Sequence, residues 1–207
     1  MVNSLDHFMW AFSDLDAAVA TFERLSGVRP GTGGVHPGRG TRNALASLGP
    51  AIYLEVIAPD PAQPLEGTPG ATLRDLKQPG IHAIVAVSRD LASVQKAYAA
   101  AGIPADLQDG GRKTPEGGFI RWKILIPKPN GFGAFAPLFI DWLDSVHPAK
   151  TSTPGCTLAR FEAGHPDSEA VGGLWRGIGL DIPLHRADRP HFIAELVTPR
   201  GPLRLTS

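Results

Sequence analysis

The sequence predicts an α+β fold built from a duplicated unit: one strand, one helix, then two or three strands. Three observations predict it. Two apolar runs, LDHFMWAF at 5–12 and GIHAIVAV at 80–87, each carry a histidine near the start, His7 and His82. Each run is followed by an amphipathic segment with the same landmarks, a serine six residues after the histidine and a glycine twenty after it. Each amphipathic segment is followed by short apolar runs separated by turn residues. One such match is weak, but two at identical spacing mark an internal repeat.

In the first unit, SDLDAAVATFERLSG places Leu15, Val19, Phe22 and Leu25 at helical spacing, with Ser13 as the expected cap, Asp16 in the first turn and Gly27 as the stop. The glycine-rich PGTGGVHPGRG is read as loop with an irregular strand. TRNALASLG and AIYLEVIAPD read as two strands across a Gly-Pro turn. Residues 59–79 form a Pro-rich linker with a helical turn near Leu73. The second unit repeats the pattern. Ser88 is the expected cap, Leu91, Val94 and Tyr98 form the stripe, and Gly102 is the stop. PADLQDGGRKTPEGG is again a glycine-rich loop with an irregular strand, and GGFIRWKILIPKP and APLFIDWLD are strands. A third, degenerate unit closes the chain. Its strand CTLARFEAG has Phe161 where the others have histidine, Asp167 caps a short helix weakened by Gly172, Gly173 and Gly177, and three strands follow. The expected boundaries are 1–58, 59–79, 80–150 and 151–207. The last segment is read as a packing or dimer-forming extension, so a homodimer is one expected assembly.

Composition narrows the function. The chain has 207 residues, 43% hydrophobic and 19% charged, in the range of a globular protein with a real core. Its formal net charge is zero with no basic patch, which argues against nucleic acid and anionic membranes as partners. No apolar run approaches the ~20 residues that span a bilayer. The first residues lack a charged segment followed by an apolar one, so a cytoplasmic location is expected. A single cysteine, Cys156, permits no intrachain disulfide and no four-cysteine zinc site, and it has no apparent base partner. GTGG at 31–34 does not link a strand to a helix, so a dinucleotide site is rejected. Trp10, Trp142 and Trp175 are read as core. The expected partner is a small molecule.

Side chains alternate along a strand, so His7 shares a face with Leu5, Met9 and Ala11, and Glu55 with Tyr53 and Ile57. His82 falls with Ile84 and Ala86, and Asp141 with Phe139. Each unit thus offers a histidine on its first strand and a carboxylate on its last. An unpaired buried carboxylate costs several kcal/mol, roughly, so both need partners. One divalent cation held by His7, Glu55, His82 and Asp141 would satisfy all four. Nitrogen and oxygen donors suit Ni, Zn, Co, Mn or Fe(II). Taken singly, a histidine at a strand start is more often a core or rim residue than a ligand. The paired recurrence favours the metal reading over that single-residue one.

These residues resemble the vicinal oxygen chelate superfamily. LDHFMWAFSDLDAAVATFERLSG, HPGRGTRNALASLG, YLEVIAPD and FIDWLDSVHPA are most similar to its glyoxalase-like domain group. The resemblance implies paired βαβββ modules joined into a cupped mixed sheet, with helices outside and a metal in the cup. The metal positions it implies are His7, Glu55, His82 and Asp141. Asp141 departs from the glutamate of glyoxalase I and is one methylene shorter. The implied chemistry is chelation of two neighbouring substrate oxygens, with the metal stabilising an oxyanion or enediolate. Glu55 or Asp141 would act as general base. A metal-dependent lyase or isomerase ranks first, an extradiol-type Fe(II) dioxygenase using His7, His82 and one carboxylate second, and a metal-free ligand-binding protein third. His36, Arg42, Asn43, Arg121 and His147 are the expected substrate-binding residues around the cup, each weighed against an ordinary surface or turn role.

Overall fold

A computed structural model describes residues 2–113 and 117–207. Residues 114–116, within the segment PADLQDGGRKTPEGG, lie outside the described residues. The first unit contains β1 (Ser4–Ala11), α1 (Leu15–Ser26), β2 (Gly31–His36), β3 (Thr41–Gly49) and β4 (Ile52–Pro59), followed by the short α2 (Pro69–Arg74). The second contains β5 (Gly80–Val87), α3 (Leu91–Ala100), β6 (Ala105–Lys113), β7 (Phe119–Pro127) and β8 (Leu138–Asp141). The chain ends with β9 (Thr157–His165), α4 (Ser168–Gly177), β10 (Leu184–Arg186), β11 (His191–Thr198) and β12 (Gly201–Thr206).

The helices form where the apolar stripes predict, but their caps differ from expectation. Asp14, not Ser13, accepts the Ala17 N–H at 2.7 Å, and Asp90, not Ser88, accepts that of Ser93 at 3.0 Å. A carboxylate also complements the positive end of the helix dipole, which a hydroxyl does not. Gly27 stops α1 in the left-handed region, φ 80°, as expected of a C-cap glycine. Asp167 caps α4 through the Ala170 N–H.

Among the described residues, β1–β8 form one mixed sheet in the order β2-β3-β4-β1-β5-β8-β7-β6. The first and last strands of each unit pair in parallel, β1 with β4 and β5 with β8, and the units join through antiparallel β1 and β5. The sheet curls until its outer strands approach. Arg39 Nη2 donates to Gln108 Oε1 at 2.6 Å, and Arg112 Nη1 donates to the Gly33 carbonyl, so side chains tie the β2 side to β6. The convex face carries α1 and α3 over one apolar core that includes Phe8, Phe22, Leu54, Tyr98 and Phe139. That core continues into Phe161 and Phe192 of a second sheet, ordered β10-β9-β11-β12. The third unit therefore keeps the expected order of elements but not the strand order. Its first strand, β9, pairs with β10 and β11, whereas β1 pairs with β4. It packs on the helix side, away from the cup. Among the described residues no helix is long and apolar enough to cross a membrane.

Candidate functional site

Two β-bulges decide what faces the cup. Where β1 meets β5, Leu5 pairs with Ala86 and His7 with Val85, which leaves Asp6 as an extra residue. Leu5 and Phe8, three apart, then both pack toward the helix-side core, and Asp6 turns inward beside His7. The second bulge lies in β5. Met9 pairs with Ala83 and Trp10 with Ile81, so His82 is the extra residue. Ile81 and Ile84 both join the helix-side core, and His82 is pushed to the exposed mouth of the cup.

The cup holds a cavity of about 650 Å³. At its floor lies a chain of polar side chains, all inside apolar strands. His7 Nδ1 donates to Asp6 Oδ1 at 2.6 Å, and His7 Nε2 lies 3.4 Å from Glu55 Oε2. Asn43 Nδ2 donates to Glu55 Oε1 at 2.6 Å. His36 Nε2 lies 3.7 Å from that same oxygen, and His36 Nδ1 is 2.9 Å from Thr41 Oγ1. The second oxygen of Asp6 accepts from Trp142 Nε1 at 2.9 Å and His147 Nε2 at 3.0 Å. His147 Nδ1 accepts the Ala149 N–H, so its proton sits on Nε2. Tyr53 stacks on His7 with ring centroids 4.4 Å apart. Gly33 makes room for this network, because a Cβ there would lie 2.1 Å from Asn43 Oδ1. That amide oxygen is buried without a partner among the described residues.

The electrostatics separate the two histidines. Burial disfavours charge on His7, but the Asp6 and Glu55 carboxylates outweigh it and raise its pKa to about 9. His7 is therefore an imidazolium at neutral pH. Burial is also the largest influence on His36. The attraction of Glu55 is offset by Arg112, Arg39 and His7, and its pKa falls below the usual histidine value. Burial disfavours charge on Glu55 and Asp6 as well. Hydrogen bonds and the charge of their histidine partners prevail and lower both to about 2.

The sequence-predicted residues divide. His7, Glu55, His36 and Asn43 come together, and His147 joins them through Asp6. His82 lines the mouth three positions along β5 from Val85, the partner of His7. Asp141 is on the opposite face of the sheet from the cup. The cup side of β8 is Leu138, Ile140 and Trp142, while Phe139 packs toward the helices. Asp141 instead lies 3.4 Å from Arg89 Nη1 and accepts the Leu143 N–H. Arg42 faces Asp16 of α1 at 3.8 Å. Arg121 is exposed over the Phe119 ring, beside a neighbouring hollow rather than in this cup. Trp142, read as core, is a wall of the cavity and a donor to Asp6. Sequence reasoning missed Asp6, Tyr53, Arg39 and Arg112. Asp6 could have been suspected, because regular alternation would bury an unpaired carboxylate beside Phe8 and Trp10.

The four-donor metal set does not fit this arrangement. Its second-unit donors lie elsewhere. Among the described residues no group of three or more His, Cys, Asp or Glu side chains is placed to hold a metal ion. The disagreement has two local causes: His82 lies three positions along β5 from the partner of His7, and strand parity turns Asp141 away.

Paired modules joined through their first strands, helices outside and a histidine–carboxylate cluster in the cup define a member of the vicinal oxygen chelate superfamily. The chain belongs to the glyoxalase-like domain family, whose model matches residues 5–179. A hypothetical protein from Staphylococcus aureus shares the fold over nearly the whole chain. Its TM-score is 0.68 at 16% identity, covering 98% of this chain and 85% of that one. Methylmalonyl-CoA epimerase from Mycobacterium tuberculosis is similar over 66% of this chain and 84% of its own, with TM-score 0.46 and 23% identity. The Streptomyces coelicolor epimerase with 2-nitronate-propionyl-CoA bound is similar over 68% and 96%, with TM-score 0.46 and 20% identity. No curated protein matches the chain significantly.

Proposed function

We propose that this chain is an isomerase- or lyase-type enzyme that moves a carbon-bound proton next to a carbonyl of a small oxygen-bearing metabolite. One observation carries the reading. Two histidines flank Glu55 in an apolar cavity, and their surroundings push their pKa values in opposite directions. Such a divergence assigns acid and base roles. His36, neutral at pH 7, takes the proton through Nε2, whose lone pair faces the cavity-side amide of Asn43 at 3.4 Å. The electrons of the broken C–H bond move to the carbonyl oxygen, and the His7 imidazolium stabilises the resulting enolate. Return of the proton from His36 to the same or a neighbouring carbon completes an isomerisation. Loss of a β-substituent instead gives a lyase. Asp6 fixes the His7 ring, and Tyr53 covers its face. No step uses a bound cation.

The test is hydrogen–deuterium exchange, followed by NMR in deuterium oxide, on a panel of enolisable keto acids and 2-substituted acyl compounds. Exchange on at least one compound is expected, falling roughly 100- to 10,000-fold in His36→Asn and in His7→Asn. A chelator is expected to leave the rate unchanged. Exchange insensitive to both substitutions would sink the assignment. Loss of rate on chelation, restored by Ni, Zn, Co, Mn or Fe(II), would replace it with the metal-dependent form. Tight binding without exchange would leave a sequestering cup.

A further inference from the structure

The cavity walls carry an asymmetry that the proton-transfer chemistry does not need. One wall is apolar and comes from the second unit: Trp122, Ile124, Leu138, Ile140 and Trp142. A guanidinium, that of Arg39, comes to the rim from the turn after β2 in the first unit. The one carboxylate in the lining is Glu55. Its oxygens are taken up by Asn43 at 2.6 Å and His7 at 3.4 Å. Arg39 is half-buried, and among the described residues no carboxylate lies within ion-pairing distance of it. Among the described residues its guanidinium donates to Gln108, a neutral amide. A guanidinium partly withdrawn from water and left without an anion is an incomplete interaction.

We infer that the cavity takes a monocarboxylate with an apolar body, an aryl or alkyl chain laid on the Trp122–Trp142 wall, whose carboxylate is gripped by Arg39. The inference rests on the proton-transfer reading only in using the same cavity, since it concerns the head group and body of the ligand. A cavity of about 650 Å³ accommodates such a ligand without a large polar tail. The apolar wall supplies burial in proportion to area, and the guanidinium supplies orientation. Together they would set the carbon next to the carbonyl against His36.

Calorimetric titration with 4-phenylbutyrate and with its isosteric amide, 4-phenylbutyramide, tests this directly. The acid is expected to bind at least about tenfold more tightly than the amide, the difference a charge-assisted hydrogen bond makes. Arg39→Gln should abolish that preference, and Arg39→Lys should restore part of it. Gln108→Ala removes the link across the sheet seam but keeps the guanidinium, so it separates loss of charge from loss of shape. It should retain the preference for the acid. Equal binding of acid and amide, binding of neither up to millimolar concentration, or an unchanged preference in Arg39→Gln would overturn the inference. Failure of the proton-transfer reading looks different: carboxylates bind through Arg39, and no enolisable one exchanges hydrogen.

Discussion

Asp6 shows how one side chain can set the chemistry of another. It is fully buried and accepts three hydrogen bonds, from His7, Trp142 and His147. Full satisfaction makes a buried carboxylate tolerable, and its charge keeps His7 protonated. In Asp6→Asn the amide keeps the shape and loses the charge. The His7 titration midpoint, followed by its imidazole NMR signals, should then fall well below about 9. Removing one partner of a buried ion pair costs on the order of 3 kcal/mol, which a urea midpoint would read. A His7 midpoint that stays put would mean that Glu55 alone holds the charge. Exchange activity should fall while binding of 4-phenylbutyrate persists, because Asp6 touches no part of the ligand.

Strand, helix and turn patterns made most of the fold legible, and the exceptions occur where one residue breaks a period. The apolar stripes place α1 and α3, where Phe22 and Tyr98 are buried, and the Asp167 cap places α4. His7 and Glu55 were legible because β4 alternates regularly and parallel pairing sets Glu55 opposite Met9, two residues from His7 and on the same face. Asp6 and His82 were not legible as they are, because an extra residue in a bulge reverses facing and only the partner strand reveals it. Asp141 failed on parity. In a four-residue strand either face reads as apolar. The caps failed because Ser13 and Asp14 are adjacent and both are good capping residues. That last point has a clean test: Asp14→Ala and Asp90→Ala should each cost about 1 kcal/mol, and Ser13→Ala under about 0.5 kcal/mol, by chemical denaturation. A larger loss in Ser13→Ala than in Asp14→Ala would contradict the observed cap.

At the scale of the molecule, the buried cluster ties stability to pH from both sides. His7 has a folded pKa raised from 6.5 to about 9, so its stabilising contribution is complete below pH 6.5 and disappears as pH rises through 9. His36 has a lowered pKa, which reverses the sign. Its neutral form is favoured by folding, so its contribution is complete above pH 6.5 and declines on acidification. Asp6 and Glu55, lowered to about 2, stabilise above their ordinary carboxylate range and lose that contribution as pH falls toward 2. Together these trends make stability fall on both sides, with acidification as His36 and the carboxylates protonate and with rising pH as His7 loses its proton. On the alkaline side the slope approaches about 1.4 kcal/mol per pH unit, the value for one proton bound by the folded state and not by the unfolded one. Urea denaturation at half-unit steps from pH 4 to 9.5 would trace this curve. The alkaline limb should vanish in His7→Asn, which has no proton to lose. The same two histidines bound catalysis, so exchange activity should decline with protonation of His36 on the acid side and loss of the His7 proton above about pH 9. Wild-type stability that is level between pH 7 and 9 would show that His7 is not held as the imidazolium, and the stabilisation of the enolate would then need another source.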